Sequence, residues 1–167
     1  MVIKMREVHP IKPVFDENSK VLILGSFPSV LSRKTGFYYG HPQNRFWRVL
    51  AAVMGETVPA SIEEKRLFLL KCRIALWDVI ASCEVEGSSD GSIRSVAPND
   101  LGVILKNADI GAVFTNGGTA ARLYRRYCLP ITGIEAAQMP STSPANAQFS
   151  YEKLCEKWRP VAEKLND

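Results

Sequence analysis

The sequence lacks the features that mark a membrane or secreted protein. No stretch of its 167 residues stays apolar over the ~18 positions that a transmembrane helix needs. The N-terminal segment, MVIKMREVHPIKPVF, carries charged residues where a signal peptide would have an unbroken apolar run. We therefore expect a cytoplasmic, intracellular protein that does not associate with membranes.

Motifs for common cofactors and nucleophiles are also missing. The chain has no Walker loop, no G-x-G-x-x-G fingerprint and no Ser, His and Asp spacing typical of a hydrolase triad. It has no C-x-x-C pair either, so zinc binding and thiol redox chemistry are not expected. We expect all cysteines to be reduced, and Cys72 and Cys155 to pack as small hydrophobic side chains in helices.

The residues that are present suit one folded domain, residues 1–167, with some affinity for a polyanion. Hydrophobic residues make up 46% of the chain, which is enough for a single core. The net charge of +4 suits a nucleic acid without requiring one. Two groups of arginines either face DNA or form ordinary solvated helix faces: Arg45 with Arg48, and Arg122 with Arg125 and Arg126.

Short apolar runs separated by amphipathic segments predict alternating strands and helices. Strands are predicted at Val21 to Phe27, Ile74 to Ile80 and Ile110 to Asn116, with a weaker one at Ile134 to Met139. Helices are predicted at 43–54, 62–71, 99–107 and 148–166, and after Gly117 and Gly118. Ser61 and Glu64 form the pattern of a capping box. Residues 83–94 are polar and predict a surface loop.

This alternation predicts a three-layer α/β/α fold around a central, mostly parallel four-stranded sheet, because each parallel crossover needs a helix. In such sheets, ligands bind beyond the carboxyl ends of the strands. The loops after Phe27, Ile80, Asn116 and Met139 are therefore expected to surround one crevice.

The loop from Gly25 to Trp47 contains the most unusual chemistry. Its aromatic run FYY, residues 37–39, lies beside His41 and Asn44. Flat rings next to hydrogen-bonding groups suit an unstacked nucleobase, which needs both a stacking surface and polar partners.

Three segments of the chain resemble motifs of the mismatch-specific uracil-DNA glycosylases. TGFYYGHPQNRFW, residues 35–47, is similar to the loop that leads into H-P-x-N-R-F-W in that family. GSFPS, residues 25–29, lies where the family has its first motif, G-I-N-P-G, and MPSTSPANA, residues 139–147, where it has its second, L-P-N-P-S-G-L-N. The combination most resembles the hypoxanthine (deoxyinosine) branch of the uracil-DNA glycosylase superfamily, over residues 20–160.

This resemblance implies a role for each matched residue. In the hypoxanthine branch the catalytic asparagine belongs to the H-P-x-N segment, which places it at Asn44. Substrate contacts are implied for Gly25, Ser26, Phe27, Pro28, Tyr39, His41, Asp78 and Ser141. DNA contacts are implied for Arg45, Ser143, Pro144, Ala145 and Asn146. The resemblance implies no metal and no organic cofactor.

The chain departs from the other branches at three of these positions. Ser26 replaces the aspartate or asparagine that positions the attacking water, and Ser141 replaces a histidine or asparagine of the second motif. Ala145 replaces the leucine that fills the vacated duplex. Two small serines leave room for a two-ring base, so hypoxanthine is expected to be preferred over uracil.

Several of these residues also have plain structural interpretations. Asn44 can cap the helix that follows it, and His41 can hydrogen-bond a neighbouring carbonyl instead of approaching a base. Asp78 lies in a buried run, so it is either paired with an arginine or faces the pocket. Sequence alone leaves these alternatives open.

The resemblance implies a monofunctional DNA glycosylase that acts as a monomer on double-stranded DNA containing a deaminated base, in base excision repair. A β-lyase step would need an amine nucleophile, and Lys34 is the one lysine in the segment from Gly25 to Trp47, with none in residues 139–147. The alternatives are a uracil or mismatch-specific DNA glycosylase, a non-catalytic nucleic-acid-binding domain and a nucleoside hydrolase acting on free metabolites.

Overall fold

The structure is a computed structural model that describes residues 5–85 and 94–166. Its strands are β1 (Met5–Val8), β2 (Val21–Gly25), β3 (Ile74–Asp78), β4 (Ile80–Val85), β5 (Arg94–Pro98), β6 (Ala112–Asn116) and β7 (Ala136–Met139). Its helices are α1 (Val30–Thr35), α2 (Phe46–Met54), α3 (Ile62–Lys71), α4 (Gly102–Leu105), α5 (Gly118–Tyr127), α6 (Leu129–Thr132) and α7 (Tyr151–Leu165).

The central sheet confirms the predicted fold class. Its four strands are all parallel and lie in the order β3-β2-β6-β7. Every residue of β2 and β3 is buried, as expected for strands with helices on both faces. Helices α2 and α7 pack on each other and α5 packs on β6 and β7, giving the three-layer arrangement.

A second, antiparallel sheet was not predicted. It has the order β1-β4-β5, and β4 follows β3 after the single residue Val79. The prediction of a loop at 83–94 is therefore wrong for residues 83–85 and 94, while residues 86–93 lie outside the described residues. The polar composition was misleading because one side chain of β4, Cys83, is fully buried while its neighbours Ser82 and Glu84 remain half-exposed.

The helices differ from the prediction at several ends. The segment predicted as a helix over 99–107 is helical only in α4, because the Asn99 side chain instead binds the backbone carbonyls of Asp78 and Ile80. The short helices α1 and α6 were not predicted. The capping pair of α3 is present: Ser61 Oγ accepts from the Glu64 amide, and the Glu64 carboxylate accepts from the Ala60 amide.

The cysteines are free thiols, and three of them are buried. Burial raises the pKa of the Cys128 thiol to about 11, so this thiol stays protonated near neutral pH. Cys72 lies directly after α3, and Cys155 is a half-buried residue of α7. Within the described part of the chain, no helix has the length and apolar content needed to cross a membrane.

Candidate active site

A cavity of about 860 Å³ opens at the carboxyl ends of the parallel strands. All but one of the residues singled out from the sequence as catalytic, substrate-binding or DNA-binding line it, the exception being Arg45. The lining comprises Gly25 to Ser29, Ser32, Tyr38, Tyr39, His41, Asn44, Asp78, Asn116, Gly118, Gln138, Pro140 to Asn146 and Phe149. Residues distant in sequence meet there because parallel strands all end at the same edge of the sheet.

Asn44 is held in a defined orientation by the loops around it. Its Oδ1 accepts hydrogen bonds from the Phe46 amide (3.0 Å) and from the Thr142 hydroxyl (2.9 Å). Since a backbone N–H can only donate, the atom facing Phe46 must be the carbonyl oxygen of the amide. The nitrogen Nδ2 is therefore the polar atom that Asn44 offers to the cavity.

The network continues behind Asn44. The Thr142 side chain, fully buried, accepts from Asn116 Nδ2 (3.0 Å), so its own proton is available to Asn44. Asn116 Oδ1 accepts in turn from the Thr142 amide (3.1 Å). Asn116 stands at the end of β6, so the sheet edge, the second-motif loop and Asn44 form one hydrogen-bonded unit.

The capping interpretation of Asn44 is also present in this geometry. Phe46 is the first residue of α2, and its amide is one of the groups that the start of a helix leaves unsatisfied. Asn44 satisfies this amide with the same oxygen that Thr142 uses. Asn44 Oδ1 therefore has a structural role. A catalytic role for Asn44 stays a prediction, and it concerns Nδ2.

Arg45 has a different position from the one expected for a phosphate contact. Its guanidinium donates to the backbone carbonyls of Ser143 (3.0 Å), Asn146 (3.1 Å) and Phe149. Its backbone amide donates to the Thr142 carbonyl (3.1 Å). This geometry supports a role in holding the second-motif loop in place of the expected direct DNA contact.

Tyr39 forms one wall of the cavity. Its ring stacks on Phe46, with ring centroids 4.0 Å apart and planes 19° from parallel, so a base can stack only on its other face. Its backbone has a φ of +52°, which is uncommon for a residue other than glycine and typical of functional sites. Phe37 is a core residue instead, and Tyr38 is buried in the core while also contributing to the lining. Burial, followed by the nearby Asp78 charge, raises the pKa of the Tyr38 phenol.

His41 and the second-motif loop contribute more polar groups. His41 is exposed, and its Nδ1 accepts from the Gln43 amide (3.0 Å), so its backbone partner is an amide and not the carbonyl considered from the sequence. Ser141 Oγ accepts from the Ser143 amide (3.2 Å). Ser141 also packs over Gly117, whose φ of +95° and lack of a side chain allow this close approach. Pro144 and Ala145 are the exposed residues of this loop.

Asp78, at the end of β3, lies in the lining and is 97% buried. Its partner is a histidine, not the arginine considered from the sequence: His9 Nε2 and Asp78 Oδ2 are 2.8 Å apart. A β-carbon added at Gly25 would overlap Asp78 Oδ1 and lie 2.9 Å from the Tyr39 hydroxyl, so this position requires glycine.

Sequence reasoning missed His9, Thr142 and Asn116. A lone histidine before a proline, 69 positions from its partner, has no local signal. Asn116 had a weak one, because it is a polar residue at the end of a buried strand and precedes two glycines. Thr142 lies inside the second motif but was not singled out.

A parallel α/β sheet with a polar, aromatic-walled cavity at its carboxyl edge defines a domain that can enclose one planar ring. Comparison with known proteins gives the family. The family model described as the uracil DNA glycosylase superfamily matches residues 12–166, and the chain belongs to this superfamily.

Individual relatives agree with this membership. The chain is 38% identical over 149 residues to a Methanosarcina acetivorans protein named hypoxanthine DNA glycosylase, covering 89% of this chain and 93% of that protein. A Methanosarcina barkeri protein of the same name is 36% identical over 136 residues, with coverage of 80% and 85%. A solution NMR structure of a uracil DNA glycosylase candidate from M. acetivorans superposes with a TM-score of 0.80, at 35% identity and coverage of 94% and 97%.

Proposed function

We propose that this protein is a monofunctional DNA glycosylase that removes hypoxanthine from deoxyinosine in double-stranded DNA, the first step of base excision repair. The observation that carries the proposal is the convergence of three groups on one cavity: the Asn44 amide, the Tyr39 ring and the Asp78 carboxylate. These supply a donor, a stacking surface and an acceptor for one base. The names of both Methanosarcina relatives support the same substrate.

The site has no strong base beside the sugar. Asp78 is the one carboxylate in the described lining, and it lies deep in the cavity. In the hydrolysis, the oxygen of water bonds to C1′ while the C1′–N9 bond breaks and its electron pair goes to the base. The proton of the water ends on the base or in solvent. An amide is too weak to remove that proton, so Asn44 acts by stabilising charge.

Stabilisation of the departing base is the role that fits Asn44. A donor whose direction is fixed before the reaction costs no reorganisation when negative charge develops on the base. The bonds to Phe46 and Thr142 fix the amide in this way. The described lining contains no lysine, so an amine for a β-lyase step is not found there.

The small residues of the lining favour a purine. Ser26 and Ser141 occupy positions where other branches carry larger polar side chains, which leaves room for a two-ring base. The carboxylate of Asp78 can only accept. Hypoxanthine presents an N1–H to such an acceptor. The exposed Pro144 and Ala145 lie at the mouth of the cavity, where a loop can enter the duplex.

The test is a single-turnover assay on duplexes that differ only in one lesion, inosine or uracil, followed by alkaline cleavage of the abasic product. We expect inosine to be processed at least ten times faster, because hydrogen bonds built for one base cost selectivity for another. Equal or faster release of uracil would contradict the substrate preference. Binding without release of any base would instead favour a non-catalytic nucleic-acid-binding domain.

A further inference from the structure

A histidine from the second sheet reaches the floor of the cavity. His9 follows β1, and its backbone amide donates to the Ala81 carbonyl of β4 (2.6 Å), which ties it to the antiparallel sheet. Its side chain is 3% exposed and packs edge-on against Phe27, with ring centroids 5.9 Å apart. The imidazole thus lies directly behind the lining and contacts the Asp78 carboxylate.

Both nitrogens of this imidazole have defined partners. Nδ1 accepts from the Ile11 amide (3.2 Å), and because that amide can only donate, Nδ1 carries no proton. The proton therefore sits on Nε2 and is donated to Asp78 Oδ2 at 2.8 Å. With both ends engaged, the ring cannot rotate without breaking a hydrogen bond.

Because of this contact, the two oxygens of the Asp78 carboxylate have different surroundings. Oδ2 is turned toward His9, while Oδ1 lies over Gly25, itself a lining residue, at a distance that leaves no room for a β-carbon. Within the described ranges, Asp78 forms no ion pair with lysine or arginine, and its ion-pair partner is His9. The remaining oxygen belongs to the floor of the cavity.

We propose that His9 is a positioning residue for base recognition: its Nε2–H holds Asp78 so that Oδ1 accepts a hydrogen bond from the N1–H of the flipped-out purine. This inference rests on the proposed glycosylase function and deepens it. It restricts the ligand to a base with a proton on its Watson–Crick edge. It also gives the antiparallel sheet a purpose, since that sheet anchors the backbone of His9.

The experiment compares two variants on two substrates. His9→Phe keeps the ring and its packing but loses the donor, whereas His9→Gln keeps an N–H near the position of Nε2. The substrates are duplexes with deoxyinosine or with 1-methyldeoxyinosine, which lacks the N1–H. Single-turnover rate constants and half-saturation concentrations are measured for the wild type and each variant on each substrate. Thermal melting checks that each variant is folded.

We expect His9→Phe to process deoxyinosine about 10 to 100 times less efficiently, the range that a hydrogen bond to a charged group supplies. The preference of the wild type for deoxyinosine over the methylated base should shrink by a similar factor. His9→Gln should stay within about threefold of wild type. The added methyl group obstructs binding equally in the wild type and in each variant. A change in the ratio of the efficiencies on deoxyinosine and on 1-methyldeoxyinosine therefore measures the loss of the hydrogen bond.

A third variant tests whether His9 acts through Asp78. In an Asp78→Ala background, His9→Phe should cause little further loss, because two members of one unit are not additive. The proposal would be overturned if His9→Phe kept the wild-type preference for deoxyinosine over 1-methyldeoxyinosine. It would also be overturned if the losses of His9→Phe and Asp78→Ala were additive in the double variant. If His9→Phe does not fold, His9→Asn, whose shorter amide cannot reach Asp78, takes its place. A wild type that releases no base from deoxyinosine would instead refute the proposed function.

Discussion

Replacing Asn44 by aspartate separates the structural role of this side chain from the catalytic role proposed for it. An aspartate keeps the oxygen that accepts from Phe46 and Thr142, but it loses the nitrogen that faces the cavity. We expect Asn44→Asp to fold with nearly wild-type stability, because an acidic group near a helix N-terminus is favourable. Its single-turnover rate on deoxyinosine should fall by about 10²–10³, the usual effect of removing one preorganised donor.

Asn44→Ala is the matched control, because it removes both functions. Losing two accepted hydrogen bonds at about 0.5–1.5 kcal/mol each lowers the free energy of unfolding by about 1–3 kcal/mol. For a chain of this length, each kcal/mol corresponds to a melting-temperature shift of about 2–4 °C. Both variants should bind undamaged DNA like wild type. Normal turnover by Asn44→Asp would refute the argument that the amide nitrogen is the catalytic group.

Three further variants test other parts of the site. Tyr39→Ala should weaken binding to inosine DNA by about 1–3 kcal/mol in a titration while leaving undamaged DNA unaffected; equal losses would remove Tyr39 from the base pocket. Arg45→Ala should lower the free energy of unfolding by about 1–3 kcal/mol, because it removes the guanidinium hydrogen bonds to three carbonyls of the second-motif loop, and should leave the salt dependence of DNA binding unchanged. A salt slope reduced by about one would instead reveal a phosphate contact. Gly25→Ala should fold less stably and lose activity in the lesion assay, since its β-carbon overlaps Asp78; wild-type turnover would contradict the crowded cavity floor.

The central sheet was predictable because its signal is local. A strand buried on both faces must be apolar at successive positions, and β2 and β3 show this directly. The antiparallel sheet was not, because its described residues other than Ile80 and Cys83 are half-exposed or exposed, and one of its strands, β1, lies 72 or more positions before its partner β4. Pairing over that distance leaves no periodicity that a short window of sequence can reveal.

The two arginine groups illustrate the same limit at the level of side chains. A basic residue in a motif of a DNA-binding family suggests a phosphate contact, but Arg45 satisfies backbone carbonyls of a loop about 100 residues further along the chain. Arg122, Arg125 and Arg126 are exposed on α5, which leaves the choice between DNA and solvent to experiment.

The fold class, the family and three of the four loops expected at the cavity could be predicted from the sequence, because apolar periodicity and contiguous motifs are local properties. The expected loop after Ile80 is wrong, since β4 begins there and no described lining residue lies between Asp78 and Asn116. The sequence could name Asn44 and Asp78 but not say which atom of each is bound by the rest of the protein. That was decided by partners distant in sequence: Thr142 takes the oxygen of Asn44, and His9 takes one oxygen of Asp78. Hydrogen-bond direction depends on which donors the folded chain brings within about 3 Å, and only the tertiary structure brings them there.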